Sequence, residues 1–225
     1  MVPPPFLQAV SYGVYDDAMR LAIHALKYEG MRSVGVPLGK LLAEAMLRIA
    51  EDAPQCMLVV PVPLHQARSR TRGFNQARVL ASEAVRHLRR SRPEWRLELS
   101  SASLVRQRET EAQAGLSPRQ RRLNVRGAFV VSDAAAVRDR HILLVDDILT
   151  TGATARACSQ TLIETGAASV RVVTLARAQL RYSRFDRDRW DDQTDNAAFL
   201  SQEETPWLTP AWQREDDTGQ ALHPG

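Results

Sequence analysis

Apolar residues recur at helical spacing in the amino-terminal part of the chain. Between residues 16 and 29 they fall on one face of a helix, and Gly30 stands where that helix would end. A second stripe follows Pro37, a residue type that is well tolerated in a first helical turn. Its members are Leu38, Leu41, Leu42, Ala45, Met46 and Ile49. The pattern predicts two helices that cover a sheet.

Short, continuous apolar runs alternate with helical stripes along the rest of the chain. The run at residues 57–60 predicts a buried strand that stops at a proline-rich loop, and a helix is predicted over 77–88. Further strands are predicted at 128–131, 142–145 and 170–175, with a helix at 153–165 that ends at Gly166. Strands that alternate with helices indicate an α/β fold with a mostly parallel sheet and right-handed crossovers.

Two segments lack such a pattern. Residues 106–127 are polar and rich in Arg and Gln, so we expect a mobile excursion with one helical turn near Pro118. Beyond residue 180 charges and prolines dominate, and we expect an irregular tail over 181–225. Three of the four tryptophans lie in this tail, so it stays open whether part of the tail packs against the preceding 180 residues.

The charge is unevenly distributed in an otherwise ordinary globular composition. The 225 residues are 44% hydrophobic and carry a net charge of +4, with −5 on the tail and +9 on the preceding 180 residues. Only two of the 30 basic residues, Lys27 and Lys40, are lysine. Because arginine binds phosphate bidentately, this favours a phosphate-bearing ligand, although a general preference for arginine would account for it as well.

The sequence gives no sign of membrane insertion or secretion. No apolar run approaches the roughly 18 residues of a membrane span, and no secretory signal is recognisable, so we expect a cytoplasmic protein. Cys56 and Cys158 lie far apart, so neither a disulfide framework nor a zinc site is indicated.

The candidate chemistry lies where the strand predicted at 142–145 ends. Asp146 and Asp147 follow that strand, and a small polar turn then opens the next helix. The turn consists of Thr150, Thr151, Gly152, Ala153 and Thr154. Its backbone N–H groups, hydroxyls and helix N-terminus suit an anion such as a 5′-phosphate. The two carboxylates can accept hydrogen bonds from ribose hydroxyls and help to hold a Mg²⁺-bound sugar.

This segment resembles the phosphoribosyl-pyrophosphate motif of type I phosphoribosyltransferases, which is a hydrophobic strand, two acids and T-[TS]-G-[AG]-T. It matches neither the P-loop pattern nor the G-x-G-x-x-G fingerprint. Receiver domains also place paired acids after a strand, but near their start and with a lysine downstream, whereas no lysine follows Lys40. The resemblance implies a type I phosphoribosyltransferase fold, with residues 36–180 as its core.

Three further stretches resemble the ComF family, competence-associated relatives of the phosphoribosyltransferases. The first comprises residues 60–64 and 72–76, similar to the family's P-V-P-L and R-G-F-N-Q signature. This similarity implies a pyrophosphate-binding loop in which Val62, Pro63 and Arg72 contact the ligand. A plain turn followed by a helix with Asn75 as its cap is the alternative.

The other two stretches contain the remaining candidate side chains. Residues 106–124 are similar to the family's R-x-R-x-T-x-x-Q-x-x-L-x-x-x-x-R-x-x-N pattern, which implies a flexible loop that brings arginines to the departing pyrophosphate. These arginines are Arg106, Arg108 and Arg121. A solvated basic loop without a catalytic part is the alternative. The L-K-Y stretch, at residues 25–30, is similar to the family's L-K-[YF]-x-G pattern. Its Lys27 faces either the ligand or water, and we expect water. Arg177 ends the last predicted strand and is expected near the site.

The resemblance implies a reaction in which 5-phosphoribosyl-1-pyrophosphate transfers its phosphoribosyl group to a nitrogenous acceptor and releases pyrophosphate. Asp146, Asp147, Arg106 and Arg108 would be the catalytic residues, with Mg²⁺ held by the two aspartates indirectly, through the ligand. Asp147 can also act as a general base. Residues 1–35 would form a small N-terminal hood. The acceptor is not identified by any pattern in the chain.

A non-catalytic function is the second hypothesis. Many ComF-like proteins begin with a four-cysteine zinc segment, and because no cysteine precedes Cys56 we expect that element to be lacking. The absence puts in doubt any role tied to that segment. In the second hypothesis the chain senses nucleotides or phosphoribosyl pyrophosphate, or binds single-stranded DNA during DNA uptake. The basic body favours DNA binding, with Arg86, Arg89 and Arg90 as candidate contacts, but a basic and aromatic stripe is lacking.

Overall fold

The computed structural model describes residues 3–28, 32–65, 73–108 and 118–178 of the chain. Seven strands lie in these ranges. They are β1 (Gln8–Val14), β2 (Cys56–Pro61), β3 (Arg96–Leu99), β4 (Leu104–Arg106), β5 (Phe129–Val131), β6 (His141–Leu149) and β7 (Ser169–Arg177). Five of them form one sheet in the order β1-β7-β6-β2-β3, and every neighbouring pair is parallel. The other two, β4 and β5, pair antiparallel as a separate ribbon.

Helices connect the strands of the main sheet. They are α1 (Asp17–Tyr28), α2 (Gly35–Leu47), α3 (Gln76–Ser91), α4 (Pro118–Val125), α5 (Ala134–Val137) and α6 (Ala153–Glu164), with a 3₁₀ turn at Arg32–Val34. In the part of the chain that the structure describes, no helix is long and apolar enough to cross a membrane.

Two hydrophobic clusters cover the two faces of the sheet. Leu143 and Val145 of β6 face α1, α2 and α3, whereas their neighbours Ile142 and Leu144 face α6 and the ribbon. This alternation follows from the two-residue period of a strand. Because both faces are covered, β6 is a continuous apolar run, as parallel strands buried on both sides are. The α/β prediction with a mostly parallel sheet is confirmed.

Helix α2 crosses α3 closely because Gly39 lacks a side chain. A Cβ atom at this position would overlap Glu83 and approach the backbone of Ala84 on α3. The two helices therefore pack on the sheet as one layer.

Several elements were not predicted from the apolar pattern. Strand β1 lies within residues 1–35, the segment predicted as a hood, and it pairs with β7 as an edge of the main sheet. The polar segment at 106–127 begins at the end of β4 and contains the eight-residue helix α4, which is longer than the single turn that we expected. Residues 109–117 of that segment and the predicted tail at 181–225 lie outside the described residues.

Candidate functional site

The predicted motif lies at the carboxyl end of β6, near the middle of the sheet. Asp146 is in register with Thr174 on β7, and Val62, just after β2, donates its backbone N–H to the carbonyl of Val145 at 2.8 Å. The start of the predicted pyrophosphate loop therefore borders directly on the acidic pair. In open parallel sheets, this edge is where ligands bind.

Asp146 and Asp147 point to opposite faces of β6, since successive strand residues alternate. Asp146 is partly exposed. Asp147 is only 5% exposed, and its Oδ2 lies 2.5 Å from the Nζ atom of Lys27 on α1. Each carboxylate also accepts a hydrogen bond at 2.9 Å from the backbone N–H of the residue that follows it.

The two carboxyl groups differ in pKa. Burial and the neighbouring charge of Asp147 raise the pKa of Asp146 well above its ordinary value. Burial alone would also raise the pKa of Asp147, but the Lys27 ammonium lowers it below its ordinary value. Asp147 is therefore the stronger acid of the pair.

The turn after β6 has the backbone of an anion site. Gly152 is the N-cap of α6 with a φ of 70°, a left-handed conformation that favours glycine, and no side chain caps the helix there. Thr151 Oγ1 accepts a hydrogen bond from the backbone N–H of Ala153 at 3.2 Å, which closes the turn. Thr150 is exposed, and Thr151 and Thr154 are partly exposed. The first turn of a 12-residue helix and three hydroxyl-bearing residues thus meet at one place.

Asn75 joins the predicted pyrophosphate loop to α3. Its Oδ1 accepts a hydrogen bond from the backbone N–H of Arg78 at 3.3 Å, so the predicted helix cap is present. Its Nδ2 donates to the carbonyl of Val62 at 3.0 Å. Val62 is buried, Pro63 is partly exposed, and Arg72 lies outside the described residues. The cap and the loop are therefore parts of a single arrangement.

Two of the three predicted loop arginines can be placed. The Arg108 guanidinium donates to the carbonyls of Asn124 and Arg126, both at 2.9 Å, and so ties the end of β4 to the end of α4. Arg106 lies over the ring of Phe129 at 5.4 Å from its centroid. Burial and the charge of Asp146 raise the pKa of the Cys158 thiol well above its ordinary value, and the charge of Arg106 opposes that shift. The side chain of Arg121 lies outside the description.

Lys27 is the residue whose environment we predicted wrongly. We expected it to face water, but its side chain is 18% exposed and its ammonium contacts Asp147. The L-K-Y stretch in which it lies was the only sequence signal for a role near the ligand. Arg177 ends β7 at the same edge of the sheet, in register with Leu149, and partial burial lowers its pKa.

Gln76 was not among the predicted site residues. It follows Asn75 at the start of α3 and is 7% exposed, yet within the described residues its buried Oε1 atom has no hydrogen-bond partner. The sequence signal that could have identified Gln76 as a site residue is its position in the R-G-F-N-Q stretch.

The acidic pair does not form a complete metal site. In residues 3–28, 32–65, 73–108 and 118–178, no group of three or more His, Cys, Asp or Glu side chains is arranged to hold a metal ion. Mg²⁺ keeps several waters and commonly takes one or two carboxylates together with substrate phosphates. The residues present therefore fit Mg²⁺ only as partners of waters or of oxygens on a ligand.

Comparison with known proteins agrees with this geometry. The phosphoribosyl transferase domain family matches residues 74–207, and competence protein F of Haemophilus influenzae is 32% identical over 183 residues, covering 78% of this chain and 75% of the relative. The chain belongs to the ComF family of phosphoribosyltransferase-like proteins. Its predicted type I phosphoribosyltransferase fold is thereby confirmed.

Other relatives of this ComF protein have different names. DNA utilization protein YhgH of Escherichia coli O157:H7 is 34% identical over 177 residues, covering 78% of this chain and 74% of that protein. Competence protein ComFC of Bacillus subtilis is 28% identical over 165 residues, covering 73% and 62%. A solved hypoxanthine phosphoribosyltransferase from Staphylococcus aureus aligns with a TM-score of 0.38 and 15% identity over 62% of each chain.

Proposed function

We propose that this ComF protein binds 5-phosphoribosyl-1-pyrophosphate together with Mg²⁺ and transfers the phosphoribosyl group to a nitrogenous acceptor. One observation carries the proposal. The acidic pair at the end of β6 leads directly into a turn with left-handed Gly152 at the N-terminus of α6. This places carboxylate acceptors beside an anion site, which is the combination that a phosphorylated sugar requires.

Each part of the substrate has a counterpart in the site. The turn from Thr150 to Thr154 binds the 5′-phosphate through backbone N–H groups and hydroxyls. Asp146 and Asp147 accept hydrogen bonds from the ribose hydroxyls. The loop that begins at Val62 and Pro63 receives the pyrophosphate, with Arg72 and Arg121 as the basic residues that contact it.

The chemistry is a substitution at the anomeric carbon. The bond from this carbon to the pyrophosphate oxygen breaks, a bond to the acceptor nitrogen forms, and the proton of that nitrogen leaves to a base. Asp146 and Asp147 would hold Mg²⁺ indirectly, through the ligand, and the ion would supply positive charge to the departing pyrophosphate. The protein contributes positioning and fixed charge: aspartates at the electron-poor sugar and arginines, including Arg106, at the departing polyanion.

The role of Arg108 in this proposal is narrower than that of Arg106. Its guanidinium bridges two backbone carbonyls at the end of α4, the helix that carries Arg121. Its contribution to catalysis would come through the position of that helix.

Isothermal titration calorimetry with phosphoribosyl pyrophosphate and Mg²⁺ tests the proposal. We expect the wild-type protein to bind and the double variant Asp146→Asn/Asp147→Asn to lose binding. The control is Asp52→Asn/Asp139→Asn, which makes the same charge change at two exposed positions and should bind as the wild type does. Binding justifies a screen of nucleobases and amines for pyrophosphate release. Folded wild-type protein that does not bind would refute the proposal.

A second function is favoured by the outer surface of α3. A groove of about 400 Å³ lies between α3 and the edge strand β3. It is lined by Ser82, Val85, Arg86, Arg89, Arg90 and Leu99. Three arginines along one helix suit the phosphates of a nucleic acid, and relatives are named for DNA utilization and competence. The alternative is therefore a non-catalytic protein that binds single-stranded DNA.

Retention of single-stranded DNA at different salt concentrations separates the two functions. If the protein binds single-stranded DNA, we expect retention at low salt that decreases as the salt concentration rises. Retention should be lost when Arg86, Arg89 and Arg90 are changed to Gln together. The control changes Arg126, Arg138 and Arg171, which carry the same charge elsewhere on the body. Equal retention by both triple variants, or none by the wild type at low salt, removes this alternative.

A further inference from the structure

The contact between Lys27 and Asp147 connects two parts of the chain that lie 120 positions apart. The Nζ atom lies 2.5 Å from Oδ2, and the side chains are 18% and 7% exposed. The pair is therefore largely shielded from water. Lys27 lies on α1, outside the strand and turn that form the phosphoribosyl motif.

The backbone of α1 holds Lys27 in place. Ile23 and Leu26, on the same helix, are 1% and 0% exposed and belong to the core cluster that packs on Val145 and its neighbours. A largely buried ion pair requires the desolvation of both groups, so it forms only where the geometry is fixed and the charges compensate each other. The packing of α1 provides that fixed geometry.

Each oxygen of Asp147 has one polar contact, and a carboxylate oxygen can accept a second hydrogen bond. Oδ1 accepts a hydrogen bond from the backbone N–H of Ile148, and Oδ2 faces the ammonium of Lys27. The rotation of the carboxylate about its side-chain bonds is consequently restricted.

We propose that Lys27 is a positioning residue of the ribosyl-binding site, which holds the carboxylate of Asp147 in the orientation that receives a ribose hydroxyl. This inference rests on the proposed function. Lys27 acts through Asp147 on the sugar, so its removal weakens ligands that contain the ribose ring. Ligands that contain only the pyrophosphate are unaffected, because their contacts lie on the loop after β2.

Titration calorimetry with three probes tests this role. The probes are phosphoribosyl pyrophosphate with Mg²⁺, ribose 5-phosphate, and inorganic pyrophosphate with Mg²⁺. For Lys27→Met we expect both ribose-containing probes to bind roughly 10- to 100-fold more weakly, the range expected for loss of a hydrogen bond between charged groups. Pyrophosphate binding should be unchanged. Lys27→Arg keeps the charge and should recover part of the affinity.

The second lysine of the chain provides the matched control. Lys40 lies on α2 and is exposed, so Lys40→Met should bind all three probes as the wild type does. The thermal midpoint of each variant shows whether it is folded. The inference would be overturned if Lys27→Met lost as much affinity for pyrophosphate as for the ribose-containing probes, or if it lost no affinity for any probe.

A ligand-free measurement separates this inference from the proposed function. Reductive methylation of the wild-type protein, followed by peptide mass spectrometry, compares the only two lysine side chains in the chain. Lys27 should be methylated more slowly than Lys40, and Asp147→Asn should increase the methylation rate of Lys27 but not that of Lys40. Equal rates for the two lysines would overturn the inference even if phosphoribosyl pyrophosphate binds. Failure of the wild type to bind this ligand, with Lys27 still protected by Asp147, would instead refute the proposed function.

Discussion

Asn75 and Val62, 13 positions apart, are joined by a hydrogen bond of 3.0 Å from the side-chain amide to the backbone carbonyl. The same side chain caps α3 through its other atom. The position of the loop after β2 is thus determined by the start of a helix. Two substitutions separate these two roles.

Asn75→Asp retains a side-chain oxygen that caps α3 and removes the amide donor to Val62. We expect its stability to remain close to that of the wild type and its pyrophosphate affinity to decrease, because the loop loses its attachment. Asn75→Ala loses both contacts and should be about 1 to 2 kcal/mol less stable. Urea denaturation and calorimetry with pyrophosphate measure the two effects. Equal stability losses in both variants would show that the cap contributes nothing.

Gly152→Ala tests the turn at the start of α6. The φ of 70° is strained for alanine, which should cost about 1 to 2 kcal/mol of stability and weaken phosphate binding by distorting the N–H groups of the turn. Crowding is not the cause, since the nearest atom to an added Cβ is Leu149 Cδ1 at 4.0 Å. Gly13→Ala on β1 is the control because its added Cβ meets nothing within 4 Å. Similar losses of ribose 5-phosphate affinity in both variants would contradict the assignment.

The opposite pKa shifts of Asp146 and Asp147 predict opposite effects on stability. The lowered pKa of Asp147 adds stability above its ordinary value of 3.8, and this stability is lost as pH falls through the lower folded pKa. The raised pKa of Asp146 favours folding below 3.8, and this contribution is lost as pH rises through the higher folded pKa.

At pH 7, Asp146→Asn should therefore match or exceed the wild type in stability, whereas Asp147→Asn should be less stable because it removes the charged contact with Lys27. Urea midpoints between pH 3 and pH 7 measure both changes, with Asp52→Asn as the control. The predicted order is wrong if Asp146→Asn is the less stable variant at pH 7.

Arg48 protects the β1 edge of the sheet. Its guanidinium donates to the carbonyls of Ser11 and Tyr12, both at 3.0 Å, and lies 5.5 Å from the centre of the Tyr12 ring. Because these contacts are exposed, Arg48→Met should cost only about 1 kcal/mol. It should also increase self-association, since an edge strand with unpaired carbonyls can pair with another chain. Light scattering against protein concentration measures this, and unchanged scattering would contradict the prediction.

The central strand and the phosphate turn could be predicted because their signals are local. Strand β6 is buried on both faces and is therefore a continuous apolar run, and the polar turn after it is contiguous in the sequence. Strand β1 lacks such a run because only Ala9 among its seven residues is buried. Helix α4 was underestimated because its residues are mostly polar.

Pairings between distant segments could not be predicted in this way. The contact of Lys27 with Asp147 depends on how α1 packs across the sheet, and the bonds of Arg108 to the end of α4 depend on how the chain returns after residue 117. Neither contact can be deduced from the spacing of residues along the sequence. An arginine in a polar stretch has the same local pattern whether it contacts a ligand or a backbone carbonyl.

The strand order also determines when this sheet can be completed during synthesis. Strand β1 pairs only with β7 in the described sheet, and Ser11 hydrogen-bonds to Thr174, 163 positions later, at 2.7 Å. Such long-range pairing slows folding because a large loop must close before the contact forms. Helices α1 and α2 therefore leave the ribosome long before the strands that they cover. The five-stranded sheet of the growing chain cannot be complete until β7 has been synthesised.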